Sequence, residues 1–134
     1  GLAVLCIGWF LAVAVLLPGA GRGDALFSQR DLALLLAQRA APSDPVFAVG
    51  GYAQTLPFYL RRTVTLVEYR GEFDLGLSQD PRRGIPDWTQ FAARWESLPA
   101  GYALMPATTL ASRAGGFTHR ELARSGGWVL VSRR

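Results

Sequence analysis

Lysine is absent from the 134 residues, and cysteine and histidine occur once each. The 14 basic residues are therefore all arginine, against 10 acidic ones, for a formal net charge of +4. A single Cys6 excludes a disulfide framework and any multi-cysteine zinc site. A single His119 excludes catalytic or metal-binding clusters built on several histidines, and it is read as a structural side chain. The arginines stand in ones and twos, with no basic run of five, which argues against nucleic acid as a partner. Neither G-x-S-x-G nor G-x-G-x-x-G occurs, so a nucleophile elbow and a dinucleotide loop are both unsupported. No internal repeat is present. What remains is half apolar, too apolar for a disordered chain and of a length for one small domain.

Charge is also missing from one long stretch. Residues 1–21, GLAVLCIGWFLAVAVLLPGAG, hold no charged side chain. About 20 apolar residues let a helix cross a bilayer, so this run is expected to be a transmembrane helix, closed by Pro18-Gly19. A signal peptide would start with a basic stretch, which is missing here, and a buried core helix would show a polar stripe. Cys6 within the run is expected to act as a small apolar side chain. The chain begins with Gly rather than Met, and a fragment of a longer protein is expected. The organisation expected is a span at 1–21, the last of a longer parent, followed by an extracytoplasmic α/β domain at 22–134.

In that domain, Ser28 and Asp31 have capping-box spacing, and Leu32, Leu35 and Leu36 continue as an apolar helical stripe until Pro42. Residues 46–49 form a short apolar run ended by Gly50-Gly51, expected as a strand buried on both faces. Thr55 is expected to cap a short helix with Pro57 in its first turn. Residues 63–67 are β-branched and read as a second strand. From Arg70 to Pro86 the pattern dissolves into a long loop. Asp87 then opens a helix with Gln90 at capping spacing and Trp88, Phe91 and Trp95 on one stripe. Residues 102–105 read as a third strand and lead into a short helix that ends at Gly115-Gly116. Two last strands flank Ser125-Gly126-Gly127, a hairpin signal. Such alternation predicts a small, mainly parallel sheet with flanking helices and a C-terminal antiparallel hairpin.

Chemistry is sparse. Glu68, Glu72 and Asp74 gather with Tyr69 and Arg70 at the end of the second strand, where ligands collect in parallel sheets. Two carboxylates there could perform acid–base work on a sugar. The plainer expectation is surface pairing of Glu68 and Glu72 with Arg61, Arg62 or Arg70. Tyr52, Phe58, Tyr59, Trp88 and Trp95 could stack on a sugar ring, although helical spacing marks Trp88 and Trp95 as core.

The stretch VGGYAQTLPFYLRRTVTLV (49–67), then EYRGEFDLGLSQDP (68–81), resembles the C-terminal domain of the 4-amino-4-deoxy-L-arabinose lipid A transferases. These are polyprenyl-phosphate-dependent glycosyltransferases related to the protein O-mannosyltransferases. The most specific part is QTLPFYL-x-RTVTLV, and the likeness extends over most of 46–106, more loosely over the final hairpin. Two positions depart from the family's pattern: Ala53 stands where an acidic residue is expected, and Gly51 where a bulkier one is common. The resemblance implies a parent enzyme of the inner membrane whose C-terminal domain faces the periplasm. Its sugar donor would be a polyprenyl phosphate and its acceptor lipid A or a similar molecule, with the lipid bilayer as a further partner. It implies no catalytic residue here, because the family's carboxylates belong to loops near the start of the parent. Arg61, Arg62 and Arg70 are then the candidates for contact with a phosphorylated acceptor, and Tyr52, Gln54 and Glu72 for further substrate contact. No cofactor is expected within these residues; a divalent metal is an expectation for the parent. The rival expectation is a membrane-anchored binding or scaffold domain without enzymatic activity.

Overall fold

The computed structural model describes residues 29–69, 71 and 84–133. The expected span at 1–21 and the Ser28 cap lie outside these residues. Among the described residues no helix is long and apolar enough to cross a membrane. In chain order the described elements are α1 (Arg30–Arg39), β1 (Val46–Val49), α2 (Thr55–Leu60), β2 (Thr65–Val67), β3 (Gly84–Ile85), α3 (Trp88–Ser97), β4 (Tyr102–Pro106) and α4 (Ala107–Arg113). A 3-10 turn (Ala114–Gly116) and the hairpin β5 (Arg120–Ser125) and β6 (Trp128–Ser132) complete the fold.

The strands form one sheet in the order β3-β2-β1-β4-β6-β5. The first four are parallel neighbours, with Phe47 opposite Thr65 and Ala103. β6 runs antiparallel to β4 and β5. This is the mainly parallel sheet with a terminal hairpin that the alternation predicts. β1 is buried at all four residues, as expected of a strand covered on both faces. Side-chain alternation sorts the core into two sides. Phe47, Val49, Ala103, Met105, Val129 and Val131 face α3 and α4. Val46, Ala48, Leu104 and Leu130 face α1 and α2, where Leu32, Leu36 and Leu56 cover them.

Local chemistry fixes several boundaries. Asp87 caps α3 as expected: its Oδ1 accepts from the Gln90 N–H at 2.9 Å, and the Gln90 amide returns a bond to Oδ2 at 2.6 Å. Gly126 and Gly127 both have positive φ, +55° and +76°, the requirement of a two-residue type I′ turn. α1 ends before Pro42, with Ala40 already extended. Gln29 stands at the N-cap of α1 and makes no side-chain capping bond. Two expectations need correction. Thr55 is the first residue of α2 rather than its cap, and its hydroxyl donates to Gln29 Oε1 at 3.4 Å. The stretch from Arg70 to Pro86 is not entirely loop, since Gly84–Ile85 pairs with Leu66 and Val67 as β3.

Candidate functional site

In open α/β sheets ligands bind beyond the carboxyl ends of the strands, where the strand order reverses. Here that point lies between β1 and β4, and the chain fills it with its own side chains. Gly50 (φ +67°) turns away from β1, its N–H held by the Val67 carbonyl at 2.9 Å. The indole of Trp128 sits so close over Gly51 that a Cβ there would lie 2.8 Å from the ring. Residue 51 is therefore glycine because of the indole above it. Ala53 is fully buried, so an acid at that position would be an enclosed charge. Both departures from the family's pattern are thus packing positions.

Glu68 stands at the next strand end in a left-handed conformation, φ +54°. Its carboxylate accepts from the Trp88 backbone N–H at 3.2 Å and from Arg113 Nη1 at 2.5 Å. The Arg113 guanidinium also lies over the Trp88 ring, 5.0 Å from its centroid. Glu68 therefore stitches β2 to α3 and α4. Its partner among the described residues is Arg113 rather than the expected Arg61 or Arg62, and Arg70 lies outside the described residues. Both oxygens are committed, which leaves it unsuited to acid–base work on a bound sugar. Among the described residues, no three His, Cys, Asp or Glu side chains are grouped as a metal site needs.

The arginines lead elsewhere. A surface groove of about 320 Å3 opens where the ends of α1 and α2 meet. Ala37, Pro42 and Leu60 give it an apolar lining, and Tyr59, Arg61 and Arg62 give it polar edges. Arg61 ends α2 in the left-handed region (φ 51°, ψ 35°) and is exposed. A non-glycine residue there costs about 1–2 kcal/mol, yet the guanidinium is presented to solvent. Arg62 Nη1 donates to the Ala41 carbonyl at 3.0 Å and the Pro42 carbonyl at 2.7 Å. Its Nη2 is buried with no hydrogen-bond partner among the described residues. An orphaned donor of this kind is costly. Guanidinium pairs suit phosphate and carboxylate oxygens.

The four candidate contacts among the described residues fall into two groups. Arg61 and Arg62 share the groove. Tyr52 and Gln54 precede α2, a helix about 9 Å long at its usual rise per residue. Tyr52 is nearly parallel to Tyr69, ring centroids 6.5 Å apart, and Gln54 is exposed. Arg70, Glu72 and Asp74 lie outside the described residues. Trp95 is fully buried and donates its indole N–H to the Thr118 carbonyl at 2.8 Å, so it is core rather than a sugar platform. His119 is structural, stacked on Phe117 with Nδ1 3.0 Å from the Phe117 carbonyl oxygen. The groove itself was not foreseen; the doubled Arg61-Arg62 at a helix end is the signal that points to it.

A three-layer α/β domain of doubly wound type, its switch point self-filled and one helical layer carrying a basic groove, is the class these features define. Residues 32–133 match the family model of the aminoarabinose transferase C-terminal domain, and the chain belongs to that family. Its fold is similar to that of ArnT from Cupriavidus metallidurans in a crystal structure with bound undecaprenyl phosphate: TM-score 0.74, 29% identity, 81% of this chain and 20% of that one. The apo structure of the same protein gives a TM-score of 0.73 at the same identity and coverage. The chain thus spans about a fifth of the length of that relative. No match is found among curated proteins.

Proposed function

We propose that the chain is the C-terminal, non-catalytic domain of an integral-membrane glycosyltransferase. The parent moves a sugar, 4-amino-4-deoxy-L-arabinose, from a polyprenyl phosphate to lipid A or another acceptor on the periplasmic side of the inner membrane. Residues 1–21 form the transmembrane helix that leads into the periplasmic domain. The family match over 32–133 carries this reading, and the relative solved with undecaprenyl phosphate supports a polyprenyl-phosphate donor.

In such a transfer an acceptor oxygen attacks the anomeric carbon. The bond from that carbon to the phosphate oxygen breaks, and the lipid phosphate leaves with the electron pair. The acceptor proton passes to a carboxylate base, supplied by another part of the parent. The task of this domain is to position the acceptor. Arg61, Arg62 and Arg70 contact its phosphate groups, with Tyr52, Gln54 and Glu72 as further contacts. Arg61 and Arg62 line one groove, and one Arg62 guanidinium nitrogen has no hydrogen-bond partner among the described residues.

The test uses the whole parent with a polyprenyl-phosphate aminoarabinose donor and lipid A, following product by mass spectrometry. The parent should form the modified lipid. Replacing Arg61, Arg62 and Arg70 together by Gln should raise the acceptor KM while the domain stays folded. Acceptor kinetics equal to those of the parent would remove the contact assignment, and absence of any transfer by the parent would remove the enzymatic one.

A further inference from the structure

The outer surface of the α1–α2 layer has no covering element among the described residues, and it carries an unusual set of side chains. Phe58 is 75% exposed and Leu34 36%, the two large apolar side chains left exposed among the described residues. Leu34 lies on α1, one turn from Ala37 of the groove, and Phe58 touches Tyr59 edge to face at 5.2 Å. The same two helices expose Arg39 at the end of α1 and Arg61 at the end of α2, with Arg30 and Asp31 at the start of α1. Exposed apolar side chains and arginines on one helical layer are the pattern of a surface that lies in a membrane interface.

Chain connectivity says what such a face would meet. Only eight residues, 22–29, separate the apolar run from α1. Fully extended they reach at most about 28 Å, so α1 stays close to whatever holds residues 1–21. We infer that the α1–α2 face rests on an anionic lipid surface, with Phe58 and Leu34 entering the headgroup layer and Arg61 and Arg39 meeting lipid phosphates. The inference rests on the anchored reading of 1–21 above, and it goes beyond acceptor binding to the bilayer itself. It also accounts for an arginine, rather than glycine, in the left-handed position that ends α2: the side chain is retained for its charge at the surface.

The experiment uses the full 134-residue chain, with Cys6→Ser and a single spin label, in vesicles of phosphatidylcholine doped with phosphatidylglycerol. Labels are placed at Gln38→Cys on the α1 face, at Ala93→Cys on the outer side of α3, and at Val13→Cys in the apolar run. Collisions with a water-soluble nickel chelate and with oxygen report depth. The label at 38 should be shielded from nickel while the label at 93 stays accessible. An arginine near an anionic surface is worth about 1 kcal/mol, so Arg61→Gln should lower the ratio of docked to undocked label about fivefold. Phe58→Ala should lower it as well. Equal nickel access at 38 and 93, or equal shielding in pure phosphatidylcholine, overturns the inference. The label at Val13 tests the anchored reading separately: nickel access there sinks the span, and cofloatation of the chain with the anionic vesicles, weakened by Arg61→Gln, then decides the face. None of these readouts depends on transferase activity.

Discussion

The two helical layers of this domain flank one sheet, yet they are built to different ends. On the α3–α4 side, Phe47, Phe91, Trp95 and Phe117 interlock with ring centroids 5.3 to 6.1 Å apart, and Trp88 joins at 5.1 and 5.2 Å. The charges beside them are committed: Glu68 to Arg113, and Glu96 to Arg133 and the Thr118 N–H. On the α1–α2 side the buried core residues are aliphatic, Phe58 projects outward, Arg61 ends a helix in a strained conformation, and one buried nitrogen of Arg62 has no hydrogen-bond partner among the described residues. One side buries interlocked aromatic rings in its core. The other packs tyrosines and Trp128 at the margin of an aliphatic core and leaves Phe58 and Arg61 exposed. That asymmetry sets a packing side against the proposed contact side.

The comparison breaks most sharply at Trp95. Its indole is fully buried and hydrogen-bonded, so Trp95→Ala should lose about 3–5 kcal/mol, a large part of the 5–15 kcal/mol typical of a domain. The urea midpoint of the chain measures it. Phe58→Ala on the other layer should leave that midpoint within about 0.5 kcal/mol of the parent. At the strand ends, Gly51→Leu would drive a side chain into the Trp128 indole. Overpacking of this kind costs about 1–3 kcal/mol, and the near-ultraviolet dichroism of Trp128 should change with it.

Much of this division was legible in the sequence and some was not. Strands of four or five residues with β-branched runs, such as Val46–Val49 and Trp128–Ser132, announce themselves, and Asp87 with Gln90 is a capping signal confined to one turn. β3 has only two residues, Gly84–Ile85, too few to show a period. Glu68 meets Arg113 across 45 positions, a pairing set by how α4 packs rather than by any local pattern. The groove likewise exists only because the ends of α1 and α2 are brought together over the sheet. The resemblance seen from 46 to 106 was narrower than the family match at 32–133, because the motif residues are concentrated around α2 and β2 while α1 is recognisable mainly by its apolar stripe.

Two left-handed residues sharpen the contrast further. Glu68 and Arg61 have nearly the same φ, +54° and +51°, one on each side of the comparison. Glycine removes the strain at either site. At Arg61, where no described contact depends on the backbone strain, Arg61→Gly should keep stability or raise it by up to about 1 kcal/mol. At Glu68 the same change deletes two hydrogen bonds, one of them to a charged partner, which outweighs the relief. Glu68→Gly should therefore lower the urea midpoint. If both glycine variants shifted it in the same direction, the division between a packing layer and a contact layer would lose its support at these positions.

The smallest effect is in acid. The Thr118 N–H bonded to Glu96, with help from Arg133, holds the Glu96 carboxyl below its ordinary value of 4.5. Glu121 is lowered too, chiefly by its bond to Arg124. A carboxyl whose folded value is depressed stabilises the fold above the unfolded value, and that contribution disappears as pH falls through the folded value. Melting temperature should therefore hold steady from neutral pH down to the glutamate range and decline below it. Glu96 is solvent-exposed, so the decline it contributes is slight and should weaken further in high salt. Glu96→Gln should flatten that part of the profile while leaving the neutral-pH melting temperature nearly unchanged. An acid profile altered equally by Arg61→Gln and by Glu96→Gln would mean that the contact layer shares in the folding electrostatics after all.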